Sequence, residues 1–75
     1  MEILIFEGML GREKFLCKLG TTKNCIVPHT NDLISIGEGS EATVYRVLAT
    51  LFDYAKYDYD SKDEINVFVE ELEVW

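Results

Sequence analysis

Apolar and polar positions alternate with a period of two along much of the chain, the pattern of strands with one buried face. The stretch "EILIFEG" (2–8) is short, apolar and β-branched. In "REKFLCKLG" (12–20), Lys14, Leu16 and Lys18 alternate with Phe15, Cys17 and Leu19. Gly8 and Gly11 punctuate the join, so 2–19 reads as a hairpin turning at 8–11. "GTTKN" (20–24) is turn chemistry, and Pro28 confines "CIVP" (25–28) to a brief extended piece at an edge or strand end. "LISIG" (33–37) alternates again. "EINVFVEELEVW" (64–75) sets Ile65, Val67 and Val69 against Asn66, Phe68 and Glu70, the clearest strand in the chain.

The segment 41–57 fits two periods. Val44, Val47, Leu48, Leu51, Phe52 and Ala55 share one helical face with Ser40 as N-cap, whereas Tyr45, Val47, Ala49 and Leu51 share one face of a strand. Its β-branched and aromatic content favours the strand, and a helix would leave Tyr45 and Tyr54 off the buried face. The expected fold is all-β, a small antiparallel barrel of five to six strands. The alternative is α+β, with a helix at about 41–56 packed on a small sheet.

Pro28, Asp32, Leu33, Ile34 and Ile36 (P-x-x-x-D-L-I-x-I), then Y-R-V at 45–47, F-D-Y at 52–54 and I-x-V-F-V-E at 65–70, resemble the small SH3-like β-barrel proteins of bacteria and their phages. The resemblance covers 28–70 and implies a fold but no activity. Where that pattern has glycine before the aspartate, this chain has Asn31, the residue that next best tolerates φ > 0.

"SIGEGSEATVYRV" (35–47) is similar to the glycine-rich phosphate loop of protein kinases. A kinase needs a lysine on the following strand, an H-R-D loop and a D-F-G metal site; none is present, and Glu38 and Glu41 would repel a triphosphate. Two glycines at a hairpin tip account for the letters. Cys17, Cys25 and His29 supply three soft ligands at C-x₇-C-x₃-H, one short of a structural zinc site and more widely spaced. Inert thiols are the expectation, though with His29 as base they would be the residues of any enzymatic role. From Asp58, Lys62 and Asp63 break the EF-hand pattern. No catalytic residue, metal or cofactor is expected.

Charge sharpens the picture. The 75 residues carry a net charge of −7. Residues 1–31 hold three acids and four bases, and residues 32–75 hold eleven acids and three bases, so the acidity belongs to the second part. An acidic surface repels nucleic acid and anionic membrane and attracts basic partners. One domain at most fits this length. Two cysteines do not make a secreted disulfide scaffold, and "MEILIFEG" is neither a signal peptide nor a membrane span, so a cytoplasmic protein is expected.

The candidate contact residues follow from aromatics set among these acids: Asp53, Tyr54, Tyr57, Asp58, Tyr59 and Asp60, with Glu70, Glu71 and Glu73. Rigid amphipathic rings contribute contact area at low entropic cost. The expected role is a non-catalytic interaction module, of phage or mobile-element type, for a protein partner with a basic surface. Alternatives are a nucleic-acid mimic that inhibits a nuclease or DNA-binding protein, and a structural protein that self-associates through its edge strands, as a homodimer for example.

Overall fold

A computed structural model describes residues 1–54 and 63–73. Five strands, β1 (Glu2–Glu7), β2 (Lys14–Thr21), β3 (Leu33–Ile36), β4 (Thr43–Asp53) and β5 (Glu64–Glu71), form one sheet in the spatial order β2-β1-β5-β4-β3. The sheet curls into a half-barrel, so the fold is all-β and compatible with a small SH3-like barrel. Residues 43–53 of the contested segment are strand, and the helical alternative falls away. Three of the four strand pairings are antiparallel, as expected. The fourth differs: β1 and β5 run parallel, Ile3 beside Ile65 and Ile5 beside Val67, so the sheet is mixed.

The core fills the concave side. Ile3, Ile5, Val47, Ile65, Val67 and Val69 are fully buried, with Tyr45 at their margin and Leu16, Cys17, Cys25, Val27, Ile34 and Ile36 packed around them. The alternation read in β5 therefore holds for its concave face. In β2 it does not. Register shifts against β1 move Leu16 and Cys17 inward together, and leave Phe15 and Leu19 largely exposed. A bulge rotates the strand locally, which a simple period-two reading does not anticipate.

Residues 25–28 form no strand. Cys25 and Val27 pack against the core and Pro28 is buried. Residues 28–32 attach to β4, beside its register shift between Val47 and Ala49. The Thr50 hydroxyl donates to the Pro28 carbonyl at 2.7 Å, Asn31 N–H donates to the Val47 carbonyl, and Val47 N–H donates to the Asp32 carbonyl, both at 2.8 Å. Asn31 has φ of 76°, the only positive φ outside glycine among the described residues. Asparagine thus takes the backbone shape that the barrel pattern assigns to glycine.

The 35–47 stretch is a strand, a tight turn and a strand. β3 pairs with β4 from Ile36 beside Thr43 to Leu33 beside Arg46, and Gly39–Glu41 forms one 3₁₀ turn between them. Gly37 has φ of 121°, and a Cβ there would lie 2.9 Å from the Ala42 Cα. The glycine is required by the bend itself.

Candidate functional site

Cross-strand register fixes which side chains share the convex face. Residues paired across neighbouring strands point the same way, so each rung of the ladder becomes a row. One row runs Thr21, Glu2, Glu64, Asp53. The next runs Lys18, Leu4, Asn66, Leu51, and the third Phe15, Phe6, Phe68, Ala49. Glu70 beside Arg46 and then Leu33 closes the face at the other end.

The first row sets three acidic residues on three adjacent strands, the strands themselves being about 4.8 Å apart. Lys18 reaches one of them, its Nζ 3.5 Å from Glu2 Oε1. At the far end the Arg46 guanidinium donates to and pairs with the Glu70 carboxylate. Among the described residues, one cation meets one carboxylate at that end, whereas the three carboxylates of the Glu2–Glu64–Asp53 row have Lys18 within ion-pair distance of Glu2, with the Met1 ammonium and Lys23 lining a hollow beside it. That hollow is open, about 520 Å³, and lined by Met1, Glu2, Thr21, Lys23 and Asp63.

Between these charged borders the convex face is apolar apart from Lys18 and Asn66 of the second row. The Phe6 ring meets Phe15 edge-on, with centroids 5.6 Å apart, and stacks on Phe68 at 5.8 Å. Phe68 is buried on this face, apart from the main core, while Phe15 is 54% and Leu51 40% exposed.

The expected contact residues do not all meet. Asp53 stands in the carboxylate row, and Tyr54, 64% exposed, follows it directly. Glu70 shares the convex face but is paired with Arg46. Glu71 and Glu73 line a separate hollow with Ala42, Thr43, Val44 and Leu72. That hollow lies beyond the opposite end of β5, about 23 Å from Asp53 at ~3.3 Å per residue. Tyr57, Asp58, Tyr59 and Asp60 lie outside the described residues.

Sequence reasoning missed Glu2 as a neighbour of Glu64 and Asp53, because only the parallel β1–β5 pairing brings it to them. It also missed the phenylalanine row. The signal that marks it is an aromatic on the polar-phase positions of both β1 and β5, Phe6 and Phe68.

Of the groups weighed for other chemistry, Cys17 and Cys25 are free thiols, half-buried against the core. Cys25 lies against Gly20 and contacts the Leu19 carbonyl at 3.7 Å. His29 is exposed, and its backbone N–H donates to Asp32 Oδ2 at 2.8 Å. Among the described residues no group of three or more His, Cys, Asp or Glu is placed to hold a metal ion. No helix there is long and apolar enough to cross a membrane. Tyr45 is buried beneath Glu7 and Glu71; burial first, then those two carboxylates, push its phenol upward, against a hydrogen bond with Thr43. The chain matches no protein-family model, no curated protein and no solved structure.

Proposed function

We propose that the chain is a non-catalytic interaction module that binds a protein with a basic surface through the acidic end of its sheet. One observation carries this reading: Glu2, Glu64 and Asp53 stand side by side on three strands, with exposed Tyr54 next to them. Like charges on directly opposed strands destabilise a sheet. A partner's lysines or arginines would offset that cost, so the row has more to gain from binding than an evenly mixed surface does. Two free thiols fit a reducing, cytoplasmic setting.

The test compares proteins retained from a native lysate by the immobilised chain and by an Asp53→Asn/Glu64→Gln variant. A basic polypeptide retained by the first and lost by the second supports the reading; identical retained sets overturn it. Should that polypeptide be a nuclease or DNA-binding protein displaced by DNA, with affinity falling steeply as salt rises, the module acts as a nucleic-acid mimic.

A further inference from the structure

We infer that the convex phenylalanine row is the centre of this interface, and that the partner brings an apolar side chain flanked by arginine or lysine. The inference rests on the reading above and adds where the binding energy resides. Phe15, Phe6 and Phe68 run in contact across β2, β1 and β5, with Phe15 exposed, Phe6 half-buried and Phe68 buried beneath the patch, and Leu4 and Leu51 widen it toward the carboxylates. Exposed charges alone give little affinity, whereas a desolvated apolar centre with a charged rim is the anatomy of a strong contact. Here the centre and the carboxylate rim lie on one face, with the Lys18–Leu4–Asn66–Leu51 rung between them.

The charge decides between occupants. A second copy laid face to face would bring its own Glu2, Glu64 and Asp53 to a face on which, among the described ladder residues, acid is in excess: Glu2, Glu64, Asp53 and Glu70 against Lys18 and Arg46. Like-charge juxtaposition disfavours that pairing. A foreign segment with an apolar anchor between basic residues satisfies both parts of the surface. An arginine suits it best, since its planar guanidinium pairs with carboxylates and stacks on aromatic rings.

The experiment uses the full isotope-labelled chain and two synthetic amphipathic helical peptides. Both present leucine and phenylalanine on one face; one flanks them with arginine and lysine, the other with glutamate. The basic peptide should shift the resonances of Leu4, Phe6, Phe15, Leu51 and Asn66, and the acidic peptide should not. Phe15→Ala, at an exposed position, should keep the resonance dispersion of the folded chain and weaken the basic peptide tenfold or more. If that peptide shifts only Asp53, Tyr54 and Glu64 and Phe15→Ala leaves its affinity unchanged, the inference falls while the proposed function stands. If neither peptide binds, or both bind equally, the inference falls together with the basic-partner reading. Concentration-dependent shifts confined to this face without peptide would make the occupant a second copy, and overturn it as well.

Discussion

Asp53 and Glu64 face each other across the β4–β5 ladder, two carboxylates in one register pair. Opposed like charges cost a sheet about 0.2–1 kcal/mol. Asp53→Asn should therefore raise stability by up to about 1 kcal/mol at low salt, with the gain shrinking as salt is added. The same substitution should weaken capture of a basic partner. Urea unfolding at two ionic strengths, beside the capture assay, checks both; a destabilised variant would show that the pair is not repulsive.

Tyr45 gives the fold an alkaline limit. Burial and the nearby Glu7 and Glu71 carboxylates raise its phenol above the ordinary value, which is about 10. The unfolded chain then ionises first, so this contribution is fully present below pH ~10 and is lost as pH rises through the higher folded value. Tyr45→Phe should remove that part of the decline. Unfolding measured from pH 7 to 11, with absorbance at 295 nm following the phenolate, compares the two slopes; parallel slopes would exclude the effect.

Asn31 tests the turn before β3. Its φ of 76° suits glycine or asparagine and strains any other side chain. Asn31→Gly should leave stability nearly unchanged, whereas Asn31→Ala should cost about 1–2 kcal/mol. Equal midpoints in urea for both variants would mean that the turn relaxes.

The two glycines of the 35–47 hairpin should behave differently. Gly37→Ala meets both a positive φ and the Ala42 backbone, and should cost about 1–3 kcal/mol. Gly39 has φ of 55° with nothing within 4 Å of an added Cβ, so Gly39→Asn should be close to neutral. Thermal unfolding of the two variants ranks them, and the reverse order would contradict the geometry.

The sequence showed which residues are strands far better than it showed which strands meet. β-Branched and aromatic residues identified 43–53 as a strand, and glycine with asparagine identified the bends, because those signals are local. Pairing direction leaves no such mark. Nothing in "EILIFE" or "EINVFVEE" states that they run parallel, and so neither the carboxylate row nor the Phe6–Phe68 stack was legible. The bulges in β2 had the same effect on a smaller scale. Alternation placed Phe15 inside with Cys17, and the register shift between Ile5 and Phe6 turns it out beside Phe6. The tyrosine-rich stretch was legible as composition, but of its aromatic residues only Phe52 and Tyr54 fall among the described residues.

The parallel β1–β5 ladder also sets a timetable. It joins Ile3 to Ile65 and Glu7 to Val69 at the middle of the sheet, so the central contacts span most of the chain. A nascent chain that has extended only through β4 holds β1 with one of its two neighbours and the core without Ile65, Val67 and Val69. Contacts between residues so distant in sequence pay their loop-closure entropy before they return any stability, which places such folds in the millisecond-to-second range. Until its fifth strand is made, the half-barrel therefore lacks the one strand that joins the first to the fourth.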